Sequence, residues 1–519
     1  MSKQQHTPAT PASRDEGGLH GWRLMAVFLG LAIGMFVSSL SETIASTALP
    51  TIVGDLGGVE IMQWVSTTYI LASTVVMPFY GRMGDRIGRK HLLVAALGLY
   101  GAGKFICGIT PNMAGLILGR AVSGVGGGGL VILSQAILAD VVSARARGKY
   151  MGAIGAVFAV SNVLGPVLGG WFVQVTGWRM IFWFTIPLAI IAMIVTGIFI
   201  PRDAHRRAGE KTDVWGIMFS STFVVALVLA CSWGGDTYPW LSWQILGLFG
   251  LAAACFAAFI VAEKRATSPV LPLSLWKNRN FTLCTLCGML IYGCFDGMVN
   301  YMPTYLQIVD HETPEIAGLM MIPMMAGTLI TTTATGFIAS RTGRVKWMPI
   351  AMGAVTAGGF FLMTTLSAAS PAWLIMAFFF VVGFGLGTGS QILVLIVQNE
   401  FPHAMVGTAT AGNNFYRQIG STLGTAVVGS VFTARLTGLL ADKIPANAHV
   451  TLDTLTPSVV DKLPSALQAT IAAGYSDALI PIIAIFVPVT IVCTVMMFFL
   501  KKHPLSTVVA NKGTAESQS

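Results

Sequence analysis

Charge is scarce in this 519-residue chain: 10% of residues are Asp, Glu, Lys or Arg, against 54% hydrophobic. A soluble surface needs about a quarter charged residues, so the composition excludes a soluble globular protein and points to a polytopic α-helical membrane protein. No histidine lies in the interior of a long apolar run, which removes the commonest side chain of a proton relay and leaves the carboxylates. All seven cysteines fall within apolar runs, so a disulfide framework is not expected. Cys284-x-x-Cys287 spans one helical turn inside such a run and reads as packing rather than as a redox or zinc pair. With no Walker loop, hydrolase triad spacing or metal-ligand cluster compatible with this topology, no enzymatic activity, cofactor or metal is expected. The net charge of +9 comes from short clusters between apolar runs, the distribution of a topology signal rather than of nucleic-acid binding.

The densest of these clusters, Gly81 to Lys90, reads Gly-Arg-Met-Gly-Asp-Arg-Ile-Gly-Arg-Lys. It cannot cross hydrocarbon, so it predicts a tight turn on one membrane face. Gly336, Arg341, Gly343 and Arg344 repeat the offsets of Gly81, Arg86, Gly88 and Arg89, with Ser340 where Asp85 stands, so the chain reads as duplicated.

Apolar runs long enough to span about 30 Å of hydrocarbon lie near 23–49, 62–80, 91–110, 114–138, 150–173, 179–200, 214–233, 243–262, 281–308, 315–339, 348–367, 372–398, 406–434 and 478–500. With alternate loops on one side, 24 of the 31 Lys and Arg fall on that side, which predicts that it is cytoplasmic together with both termini. The expected order is a cytoplasmic tail at 1–21 with no signal peptide, a six-helix bundle at 22–200 and a linker with two additional helices at 201–280. A second six-helix bundle at 281–500 and a tail at 501–519 follow. A long outer loop at 435–477 is expected to be structured, with a short capped helix after Pro464.

Carboxylates within a span cost about 2.5 to 3.5 kcal/mol at its centre by insertion scales, so each needs a purpose. Glu42 in the first span and Asp296 in the ninth lie at comparable depth in matching repeats and could face one cavity. Glu42 reads as a proton or cation site or, alternatively, as a structural partner for Arg120 or Lys104. Arg120 keeps its proton and acts by holding a carboxylate or a water chain, while Lys104 either contributes to the cavity or snorkels outward. Asn300, Asn413, Asn414 and Arg417 are further polar cavity candidates, Arg417 reading first as an inter-helix anchor. Gly165, Pro166 and Gly169 make either a kinked hinge or a tight packing surface.

Gly81-x-x-Gly-Asp-Arg-x-Gly-Arg-Lys90, Leu40-Ser-Glu-Thr-Ile-Ala-Ser-Thr-Ala-Leu-Pro50, Leu164-Gly-Pro-Val-Leu-Gly-Gly170, Arg120 with its following glycines, and Gly177-Trp-Arg-Met-Ile-Phe-Trp183 together resemble the 14-span drug:proton antiporters of the major facilitator superfamily. The resemblance runs from about 22 to 500. It implies two six-helix bundles plus a two-helix insertion, with proton-coupled efflux of lipophilic, cationic drugs by alternating access from a bacterial inner membrane, the protein working as a monomer. It also implies that Asp85 ties its loop to the other half and that Arg89 pairs with Asp140 in a conformational switch. The sequence departs from the family at Ser41, where the first span usually carries Asp, at Ser123 for Gln, at Thr185 for Asn, and in having no acid in span 13. Two rival expectations are export of a lipid, glycolipid or other amphipathic metabolite, and a non-transporting receptor or scaffold.

Overall fold

A computed structural model describes residues 21–58, 61–201, 213–235, 237–367, 370–440, 460 and 463–505. The expected tail at 1–21 is represented there only by Gly21, and most of the tail at 501–519 and of the basic stretch after the sixth span lies outside the described residues. The apolar runs fold into fourteen long helices and no strands among the described residues. They are α1 Trp22–Leu56, α2 Trp64–Ile87, α3 Arg89–Ile109, α4 Met113–Val141, α5 Ala144–Val175, α6 Met180–Phe199 and α7 Val214–Trp233. The series continues with α8 Trp243–Arg265, α9 Arg279–Val309, α10 Pro314–Thr342, α11 Trp347–Met363, α12 Ala372–Glu400, α13 Val406–Leu440 and α14 Ser465–Phe498.

Twelve of these are long and apolar enough to cross a membrane on that criterion alone. The other two are α2, diluted by Ser and Thr, and α11, which is shorter at 17 residues. Large apolar side chains such as Ile194, Ile198, Leu246, Phe361 and Val495 are exposed on the helix exteriors, a surface suited to lipid. Polar ends are capped by their own side chains: Asn112 accepts from Gly115 N at 2.8 Å, Asp213 from Gly216 N at 2.8 Å and Asn278 from Phe281 N at 3.0 Å. The protein is a multi-pass membrane protein.

Helices α1 to α6 form one bundle and α9 to α14 a second. The contacts joining them run through α2–α13 and α5–α10, with α5–α12 and α4–α13 alongside. The α7–α8 hairpin packs on itself and against α2, and α7 also meets α13. Arg82 Nη2 donates to Ser268 Oγ at 2.5 Å, fastening the stretch after this hairpin to the end of α2.

Two expectations change. The cluster at 81–90 is not itself a turn, because α2 continues as helix to Ile87 and the chain reverses at Gly88 alone, with φ of 105°. Helical hydrogen bonding does not need hydrocarbon, so the charged residues simply extend α2 beyond its apolar part. The repeat position Gly343 caps α10 with φ of 67°, a backbone conformation glycine adopts without steric cost. The short helix predicted after Pro464 is the first part of α14, which runs unbroken through Pro481 and Pro488. Of the loop at 435–477, residues 441–459 and 461–462 lie outside the described residues.

Candidate functional site

Glu42 is the twenty-first residue of α1 and Asp296 the eighteenth of α9. At 1.5 Å per residue they lie about 21 Å and about 20 Å from the far ends of their helices. Glu42 is exposed and Asp296 half-buried, and the two carboxylates are within electrostatic reach of each other, with Arg120 also acting on Glu42. They belong to different bundles, and neither is enclosed by packing. Beside Asp296 stand Ser421 and Arg417 of α13. Arg417 Nη2 donates to Asn414 Oδ1 at 2.7 Å, and its guanidinium lies 4.7 Å from the Tyr292 ring centroid. Asn300, one turn after Asp296, is exposed and donates to Thr425 Oγ1 at 3.3 Å.

The remaining polar cavity candidates are buried. Asn413 is buried and donates to Thr285 Oγ1 at 3.1 Å inside the second bundle, while Asn414 donates to Gln135 Oε1 of α4 at 3.0 Å. Lys104 does not snorkel: it is fully buried and donates to Ser41 Oγ. The hydroxyl that replaces the usual acid gives that ammonium an internal acceptor, which holds the side chain inward. Arg120, fully buried, donates to Val65 O and Ser41 O, both at 2.9 Å, and to Ser41 Oγ at 3.0 Å. Around Pro166, α5 packs closely on α1: a Cβ on Gly169 would fall 3.0 Å from Ile44 O and one on Gly165 3.3 Å from Ile44 N.

The end of the molecule carrying the basic clusters is closed. Asp85 Oδ1 accepts from Gly407 N at 3.0 Å, and Asp85 Oδ2 accepts from Thr408 N and Thr408 Oγ1, both at 2.7 Å, so an acid of α2 caps the start of α13. Arg89 Nη2 donates to Asp85 at 2.6 Å and to His403 O at 3.2 Å, and Nη1 donates to Asp140. His403 Nε2 lies 3.1 Å from Asp140 Oδ1, closing the ring from the opposite bundle. Further links run from Arg145 Nη2 to Arg341 O at 2.6 Å and from Arg147 Nη1 to Gln398 Oε1 at 3.1 Å. Gly81 is tight here, since a Cβ would fall 2.8 Å from Gly407 O, while Arg86 occupies the last turn of α2.

His403, Gln135, Gln398, Arg145 and Arg147 are the residues sequence reasoning missed. In the sequence Arg145 and Arg147 are two of the cations on the basic side and carry no further signal. Gln135 and Gln398 occupy buried positions on α4 and α12, and an amide inside an apolar run is the one signal that could have singled them out.

Two helical bundles joined by a polar network at one end, each with an acid midway along a long apolar helix, have the architecture of a membrane transporter. The profile described as Major Facilitator Superfamily matches residues 31–425, and the chain belongs to that superfamily. An uncharacterized MFS-type transporter of Mycobacterium tuberculosis is 35% identical over 93% of this chain and 70% of its own length. The multidrug transporter protein MdtP of Bacillus subtilis is 37% identical over 80% of this chain and 76% of its own, and multidrug resistance protein 3 of the same species 32% over 80% and 81%. Among solved structures, the human organic anion transporter MFSD10 superposes with a TM-score of 0.62 at 13% identity, covering 91% of this chain and 99% of its own. A double-tryptophan mutant of XylE gives 0.61 at 16%, covering 94% and 98%. Both share the fold.

Proposed function

We propose that this protein exports lipophilic, drug-like compounds across the cell membrane of a bacterium in exchange for protons, by alternating access. The observation that carries the reading is the placement of Glu42 and Asp296 at a matched distance along their helices, one acid from each bundle. Relatives named as multidrug transporters support the drug-like substrate class. The basic end, on this reading, faces the cytoplasm with both termini, so the conformation described is outward-facing. A monomer holds both acids.

One proton moving through about 100 mV and one pH unit yields roughly 2.3 plus 1.4 kcal/mol, enough for a gradient of a few hundred-fold in a neutral substrate. Two acids make a lipophilic cation the first substrate to try. Arg417 beside Asp296 favours a neutral amphiphile as the second.

Purified protein in weak buffer is expected to release protons when a bound compound is found in a panel of monovalent dyes, divalent cations and neutral amphiphiles. Glu42→Gln or Asp296→Asn should abolish that release, whichever acid carries the exchanging proton. Substrate binding shown by an independent method, with no proton release in any variant, would overturn the coupling and leave a facilitator or lipid translocator.

A further inference from the structure

Two basic side chains buried in the first bundle have no anion in contact among the described residues, Glu42 acting on Arg120 only at longer range. Lys104 of α3 and Arg120 of α4 are both fully buried and both converge on Ser41 Oγ of α1. Arg120 spends Nε and Nη1 on Val65 O and Ser41, but its Nη2 is buried and meets no acceptor. An ammonium carries three donors, and Ser41 Oγ is the one acceptor of Lys104 among the described residues. Aromatic rings surround the rest: Lys104 Nζ lies 5.1 Å from the Tyr100 centroid, 5.3 Å from Phe182 and 6.0 Å from Tyr69, and Arg120 lies 4.4 Å from that same Tyr69 ring.

Among the described residues, neither cation has a carboxylate within ion-pair distance. Glu42 follows Ser41 in the chain, yet adjacent helical positions point about 100° apart, and Glu42 is exposed while Ser41 is fully buried. The second bundle is built otherwise, with Arg417 beside Asp296.

Ring faces and carbonyl dipoles offset part of the charge. They leave the guanidinium donor unused, and an uncompensated buried ion is strongly destabilising. We propose that Ser41, Lys104 and Arg120 form a binding site for a small monovalent anion, chloride being the one at hand in a cell, which supplies the negative charge that a carboxylate at position 41 would supply. A halide suits the setting chemically. It is a single atom with no preferred direction of approach, so it can accept from Nζ, Nη2 and the Ser41 hydroxyl together. Serine is also shorter than aspartate by a carbon and an oxygen, the part of the side chain an anion would replace. The inference goes beyond the transport reading and does not depend on it, because its readout is binding.

The test is thermal unfolding of the purified full-length protein at fixed sodium and ionic strength, with chloride exchanged stepwise for gluconate. The wild type should show a saturable rise in Tm with chloride, of about 2–4 °C, and bromide should substitute for chloride. Ser41→Asp should be as stable in gluconate as the wild type is in chloride and should no longer respond. Lys104→Met removes a buried charge, so it should fold, and it should lose most of the chloride response. Anomalous scattering from bromide-soaked crystals should place one halide between Lys104 and Arg120. Equal unfolding of the wild type in chloride and gluconate would overturn the proposal. So would an equal chloride response in Ser41→Asp or, should that variant not fold, in Lys104→Met, since either would mark a general salt effect.

Discussion

Asp85→Ala is expected to unlock the closed end of the molecule and to abolish most transport. The Asp85 side chain, only 2% exposed, accepts four hydrogen bonds, three of them from the other bundle. Alanine leaves two backbone N–H donors at the start of α13 without their acceptor and leaves Arg89 with Asp140 as its one carboxylate. Leaving a buried donor without its acceptor costs about 1–3 kcal/mol, and Asp85 serves three donors of the other bundle. Asp85 bonds to Gly407 and Thr408 only while the bundles are closed at this end, so most of that loss falls on the closed state. A change of that size lowers the closed population about a hundred-fold or more relative to the open one. Spin labels at exposed His91 and Trp347, one on each bundle at the basic end, should report it in a cysteine-depleted background. The wild type should give one short distance, and Asp85→Ala a dominant longer one. An unchanged distribution would reduce the cluster to a topology anchor without switching.

How far the sequence led differs between the two kinds of feature it contained. Helix number followed from apolar runs because hydrocarbon thickness imposes a length that any sufficiently apolar run satisfies. Helix ends did not follow, since α2 and α14 extend well past their apolar parts, where backbone hydrogen bonding continues in water or against other helices. Intramembrane acids stood out because each is costly, so Glu42 and Asp296 were visible as a pair. The pairing of Asp85 with the start of α13 came from family resemblance in outline only. Its atoms, and the contributions of His403, Gln135 and Gln398, depend on which helices the tertiary fold brings together. Lys104 shows the same limit. Near the end of an apolar run it could equally have pointed out, and only the neighbouring Ser41, Tyr69, Tyr100 and Phe182 decide that it points in.

The second large effect is expected at the other joint between the bundles, where α5 and α10 cross near the basic end. A Cβ on Gly336 would fall 2.6 Å from Gly148 O and 2.6 Å from Gly152 Cα, both backbone atoms of α5 that cannot swing aside. Gly336→Val therefore prevents the two helices from approaching as they do when this end is closed. Forcing extra methyl groups into a packed contact typically costs about 1–3 kcal/mol, and a contact with backbone sits at the upper end. That is a shift of about a hundred-fold away from the closed arrangement. The clash lies between the bundles rather than within either, so each bundle should fold, and the purified variant should remain monodisperse. The matched control is Gly358→Val on α11, where an added Cβ meets nothing within 4 Å. In the same spin-label measurement Gly336→Val should favour the longer distance and Gly358→Val should match the wild type. Parallel behaviour of the two valine variants would mean that the α5–α10 contact is a fixed seam, and opening would then have to occur by bending within a bundle, with the proline-containing stretch at Gly165 to Gly169 the first place to look.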